Sequence, residues 1–178
     1  ASATRDLIVA AKNLQNALNY DLTGELLMTG YSQGGHAAMS TFRDINNNPV
    51  SGLNLEVGGM GSGPYNLSGS QYDMLIDDIY YENPEFLLYV LASCQQAYGN
   101  IYNVPTDILR QPYASNYVTH ILGQTGNVDW VVTPYTNMLQ PGVYNNLKYN
   151  NNNPTKQCLE KSDVHDWYHT KPLEMYYC

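Results

Sequence analysis

Basic residues are scarce in this chain: Lys and Arg number 8 among 178 residues, against 16 Asp and Glu, for a net charge of −8. Phosphate recognition needs clustered cations, so DNA and RNA are excluded as partners. No apolar run reaches the roughly 20 residues that span a bilayer. The longest, residues 86–94, is interrupted by Tyr and Ser and reads as a buried core or lid helix, so no transmembrane segment is expected. Cysteine occurs only at Cys94, Cys158 and Cys178. That spacing fits no zinc motif, and an odd number allows one disulfide while leaving a thiol over. His165, Asp166 and His169 lack both the glutamate of a metalloprotease helix and a third ligand, so no metal is expected. The glycines at 58–63 are followed by no lysine, which rules out a phosphate loop. The chain opens without an initiator Met, a basic n-region or a cleavage site, so upstream processing or proteolysis is expected.

What is present has the order helix, strand, turn, helix. Leu7, Ala10, Ala11, Leu14 and Leu18 recur at helical spacing, with Arg5, Lys12 and Asn16 elsewhere, and predict an amphipathic helix over 4–19. Residues 25–31 are short, apolar and glycine-closed, as in a strand buried in a parallel sheet. Ala37, Ala38, Phe42 and Ile45 support a helix from 34 to 45, and 53–57 reads as the next strand, leaving the ladder at the glycine-rich stretch 58–63. The centre, 70–140, reads as mainly helical, with a capping box at Ser70 and Asp73, an Asn83-Pro84 helix start before 85–98, and shorter pieces near Thr106 and Thr133. Residues 145–154 read as a polar loop and 173–178 as a strand. No internal repeat is evident. Asn66-Leu67-Ser68 is the one glycosylation sequon.

Gly30-Tyr31-Ser32-Gln33-Gly34 matches a nucleophile elbow, a turn from strand to helix so tight that the serine is held in a strained backbone conformation. A Cβ at Gly30 or Gly34 is expected to collide with neighbouring backbone. Ser32 is the expected nucleophile, and the backbone N–H of Gln33 an expected oxyanion donor near the positive end of the following helix. His36, one turn into that helix, is expected to pack rather than act as base.

From Gly30 through Ala37 the sequence resembles secreted lipase-like or esterase-like serine α/β-hydrolases. Gly63-Pro64-Tyr65-Asn66-Leu67-Ser68-Gly69 is similar to that family's turn after the next strand. Pro84-Glu85-Phe86-Leu87 with Ala97-Tyr98-Gly99 is similar to its cap helix, and Asp163-Val164-His165-Asp166-Trp167 before 172–178 to the entry into its acid-bearing strand. The resemblance implies strands before residue 25, one of whose loops gives the second oxyanion N–H, and an acid and a histidine after residue 178. A rival assignment keeps the triad inside the chain, with Asp129 after a strand-like 118–122 and His165 or His169 following.

The fold expected is therefore a partial α/β-hydrolase: a core over 1–69, a helical cap over 70–170 and a returning strand over 171–178. The function expected is hydrolysis of carboxylic esters through an acyl-enzyme at Ser32, without metal or organic cofactor, on a small-molecule ester or lipid. A serine peptidase of the same fold, or a non-catalytic binding or assembly module, are the alternatives. The chain reads as a central fragment whose sheet further polypeptide completes, and its Asn- and Tyr-rich, Lys-poor makeup favours a secreted or extracytoplasmic setting.

Overall fold

A computed structural model describes residues 2–77 and 81–177. The chain divides into two compact units: residues 1–66 with 164–178, and residues 67–163. The divisions fall at 66/67 and 163/164 rather than at 69/70 and 170/171. Val164 is the reason at the second boundary, since it is buried in the first unit's core and donates its N–H to Tyr65 O at 2.9 Å.

The first unit is built from α1 (Ser2–Leu18), β1 (Glu25–Tyr31), α2 (Gln33–Asn47), β2 (Asn54–Gly61) and, from the chain's far end, β3 (Leu173–Tyr176). The strands form one parallel sheet in the order β1-β2-β3. Met28, Leu55 and Met60 from the sheet meet Met39, Phe42 and Ile45 of α2 in a buried core, with Trp167 packed against Phe42.

The glycine-rich stretch stays in the ladder, contrary to the sequence reading. Gly58, Gly59, Met60 and Gly61 pair with Met28, Thr29, Gly30 and Tyr31. Glycine suits this strand because its neighbours press in: a methyl group at Gly58 would lie 2.9 Å from the Phe42 ring and 2.8 Å from Leu173.

Helix α1 has the expected period but turns the other way. Its inward side carries Arg5, which donates to Asp44 Oδ2 at 2.9 Å and to Asn48 O at 2.7 Å, and Lys12, which donates to Ser51 O, beside the packed Ile8 and Val9. The apolar stripe looks outward, with Leu7 68%, Leu14 51% and Leu18 60% exposed. Strand β1 is likewise less buried than expected. It is an edge strand among the described residues, and Leu27 and Tyr31 stand exposed on the sheet face away from α2.

The second unit is helical: α3 (Tyr72–Ile76), α4 (Glu85–Tyr98), α5 (Tyr113–Asn116), α6 (Val143–Tyr149) and α7 (Pro154–Glu160). Its core gathers Leu87, Leu88 and Leu91 of α4 with Leu109, Tyr117, Tyr135, Met138 and Leu139. A Cys94–Cys158 disulfide ties α4 to α7; Cys178 lies outside the described residues. Several local expectations fail here. The Ser70–Asp73 capping box is not made, because the irregular turn Leu67–Gln71 occupies that position and α3 begins without a side-chain cap. Asn83 likewise gives no side-chain cap to α4. Residues 117–122 form a wide helical turn rather than a strand, and half of the supposed loop 145–154 is helix α6.

A repeat absent to the eye in the sequence is present in the backbone. A 3-10 turn (Pro105–Asp107), a bridging residue Leu109 and helix α5 recur thirty residues later as Tyr135–Asn137, Leu139 and α6. The two copies meet antiparallel: Arg110 N donates to Met138 O at 2.8 Å and Gln140 N to Ile108 O at 2.9 Å.

Candidate active site

Ser32 sits between the last residue of β1 and the first of α2, with φ 54° and ψ −126°. A non-glycine residue in such a region costs about 1–3 kcal/mol and persists only where its surroundings impose it. Here Ser32 N donates to Gly61 O on the neighbouring strand at 2.9 Å, and Ser32 O accepts from His36 N at 3.2 Å. One bond holds the turn to the sheet and the other starts the helix.

The crowding that makes the turn falls on two glycines, only one of them expected. A methyl group at Gly30 would lie 2.2 Å from Gly34 O and 2.5 Å from Gly34 C. At Gly34 itself it would meet nothing within 4 Å, because that residue presents its backbone to Gly30 and its α-hydrogens outward. The second crowded position is Gly35, where a methyl group would lie 2.7 Å from Gly61 O and 3.0 Å from Tyr65 Oη. The sequence reading missed Gly35, although the doublet Gly34-Gly35 was there to be read.

Ser32 occupies the N-cap position of α2, where a serine usually lends its oxygen to a first-turn amide. It makes no such side-chain bond. The hydroxyl is left at an exposed corner, above the positive end of a 15-residue helix. Gln33 is the first residue of α2, and its N–H belongs to the first-turn group that has no intrahelical acceptor. Ser62 N donates to Tyr176 O at 2.7 Å, so β2 and β3 end beside each other on the sheet edge that Ser32 shares. Open α/β sheets bind ligands at such carboxyl ends.

No hydrogen bond from Ser32 Oγ to a histidine or carboxylate exists among the described residues. His169 is placed elsewhere. Its Nδ1 lies 3.0 Å from Lys171 O, its ring rests on Trp167, and the adjacent Thr170 bonds Asn46 in the last turn of α2. Ser32 begins that helix, and 14 residues at 1.5 Å rise put about 21 Å between the two ends. Asp129 belongs to the second unit, where its N–H donates to Asn127 Oδ1. Among the described residues no group of three His, Cys, Asp or Glu is placed to hold a metal ion, and no helix is long and apolar enough to cross a membrane.

Parallel strands flanked by helices, with a strained serine at a strand-to-helix junction, constitute part of an α/β-hydrolase fold. Solved structures agree. The rice cell wall degrading esterase LipA from Xanthomonas oryzae superposes with a TM-score of 0.85 at 26% identity, covering 99% of this chain and 49% of LipA. A ligand-bound form of LipA gives 0.83. A Legionella pneumophila protein designated a candidate hydrolase gives 0.77 at 21% identity, covering 97% of this chain and 46% of its own, and speaks for the fold alone. The chain thus spans about half the length of the structures it matches. No family model and no curated protein matches it.

Proposed function

We propose that the protein is a serine hydrolase of carboxylic esters, with Ser32 the nucleophile. The backbone of Ser32 carries this reading: a non-glycine residue at φ 54° is held over the carboxyl end of a parallel sheet with its hydroxyl uncommitted. In the proposed reaction Ser32 Oγ forms a bond to the ester carbonyl carbon as its proton passes to a histidine. The oxyanion of the tetrahedral intermediate is bound by the Gln33 N–H, in the electrostatic field of α2. Collapse breaks the carbon–oxygen bond to the alcohol, which leaves with the proton, and water then releases the acid. This chemistry requires neither a metal nor an organic cofactor.

We place the histidine and its carboxylate partner in polypeptide beyond this chain. LipA, which it matches over half its length, is an esterase and supports that arrangement. The end of β3 beside β2 would bring an acid following that strand to the nucleophile's edge. Residues 67–163 are proposed to be the specificity-bearing cap, and the Cys94–Cys158 disulfide supports an extracytoplasmic location. The second reading, a non-catalytic module, draws on the missing base at Ser32. A fluorophosphonate probe decides between them. Labelling of the wild-type protein that disappears in Ser32→Ala supports the nucleophile, and unchanged labelling in Ser32→Ala removes it.

A further inference from the structure

We infer that Tyr65 is a positioning residue for the elbow: its ring is the strut that holds the first turn of α2, and through it Ser32 and the Gln33 amide, in place. The inference rests on the reading of Ser32 as nucleophile and adds a residue that the elbow pattern does not contain.

Two glycines surrender space around this one side chain. A methyl group at Gly63 would lie 2.6 Å from Tyr65 Cε1, 2.7 Å from Cζ and 2.9 Å from His36 N, so the ring edge and the α2 backbone both press on residue 63. At Gly35 a methyl group would lie 3.0 Å from Tyr65 Oη, 2.7 Å from Gly61 O and 3.3 Å from Gly30 O. The phenol therefore fills the angle between the ends of β1 and β2 and the start of α2. Gly61 O, on the same spot, is the acceptor that fixes the Ser32 amide. The base of the strut is anchored as well, because Tyr65 O accepts from the N–H of the buried Val164.

The hydroxyl shows which part of the side chain does this. Tyr65 is only 8% exposed, and its oxygen is buried with no hydrogen-bond partner among the described residues. A buried, unsatisfied hydroxyl gains nothing as a hydrogen-bonding group, so the side chain acts by packing, most of which the ring supplies.

The test compares Tyr65→Phe with Tyr65→Ala by hydrogen exchange at the Ser32 and His36 amides, which are the bonded ones of the elbow, and by saturation kinetics of fluorophosphonate labelling. Tyr65→Phe keeps the ring and is expected to retain wild-type exchange and labelling. Tyr65→Ala is expected to raise exchange in those amides and to lower the maximal labelling rate by about 10- to 100-fold, leaving the probe's half-saturation concentration little changed. The strut is overturned if Tyr65→Ala leaves exchange unaltered, or if Tyr65→Phe loses as much as Tyr65→Ala. Exchange does not require a reactive serine. A wild-type protein that takes no label while its exchange responds as expected counts against the proposed function and leaves the strut standing.

Discussion

Arg110 and Gln140, thirty residues apart, each give a side-chain donor to the other's bridging residue: Arg110 Nε to Leu139 O at 2.8 Å, Gln140 Nε2 to Leu109 O at 3.2 Å. The second unit's core is thus pinned at its centre by a pseudo-symmetric pair, one member charged. A charge-assisted bond to a half-buried carbonyl is worth more than a neutral one. Arg110→Ala is expected to cost about 1.5–3 kcal/mol and Gln140→Ala about 0.5–1.5 kcal/mol, read from urea unfolding midpoints. Because both changes act on one bridge, the double variant should differ from the sum, and strict additivity would show that the two bonds are independent.

The glycines of the elbow divide by what surrounds them. Gly30→Ala and Gly35→Ala set a methyl group against backbone that cannot retreat, at 2.2 Å and 2.7 Å. Each is expected to lose most fluorophosphonate labelling and at least about 2 kcal/mol of stability. Gly34→Ala enters open space and, as a helix residue, should hold or gain up to about 1 kcal/mol. Thermal unfolding of the three variants checks the order, and a Gly34 variant as damaged as the other two would contradict it.

Alkaline pH should unfold the second unit through its buried phenols. Burial pushes Tyr72 from 10.0 up to about 12, and burial with the Tyr102 hydrogen bond raises Tyr117 as well. Between pH 10 and 12 the folded Tyr72 keeps a proton that the unfolded chain has released. Stability present in full below pH 10 is therefore lost as pH climbs through that window, by on the order of 2 kcal/mol for Tyr72. Tyr72→Phe forfeits the bond to Leu147 O at 2.8 Å and starts less stable, but its decline above pH 10 should be shallower. Urea midpoints measured from pH 9 to 12 on both proteins give the two slopes; equal slopes would refute the assignment.

Helix α1 makes the proposal of further polypeptide testable. Arg5 and Lys12 hold its polar side inward, so the outward stripe of Leu7, Leu14 and Leu18, with the edge of β1 that is open among the described residues, is where the proposed polypeptide would pack. In the chain alone, Leu14→Glu with Leu18→Glu should change stability by no more than about 0.5 kcal/mol and reduce self-association seen by light scattering. In a longer protein that supplies the cover, the same pair should cost several kcal/mol. Equal, small effects in both would mean that nothing packs there.

The elements that place Ser32 were legible because their signals are local. A short apolar run closed by Gly30, and a helix period from Ala37 to Ile45, needed no knowledge of distant residues. What failed depended on partners. The glycines at 58–61 looked like a ladder's end, yet remain in it, and at Gly58 Phe42 and Leu173 lie where a side chain would be. The period of α1 was readable and its direction was not, since the packed side is the one that carries Ile8 and Val9 with Arg5 and Lys12, and their partners Asp44, Asn48 and Ser51 are distant in sequence. Residues 118–122 have strand-like composition and fold as a helical turn whose Tyr117 and Ile121 enter the core. Tyr65 was legible only as part of a turn, because its importance lies in two glycines, one of them, Gly35, far from it in sequence.

The return of β3 from the far end of the chain has a consequence for biosynthesis. The ribosome makes β1 and β2, then the entire disulfide-stapled unit, and only then the strand that completes the three. Throughout that interval the edge of β2 that β3 will take is unsatisfied while its neighbour can already close its own core. Whatever shields nascent strands from aggregation is needed across that whole interval by the strands that bear the serine.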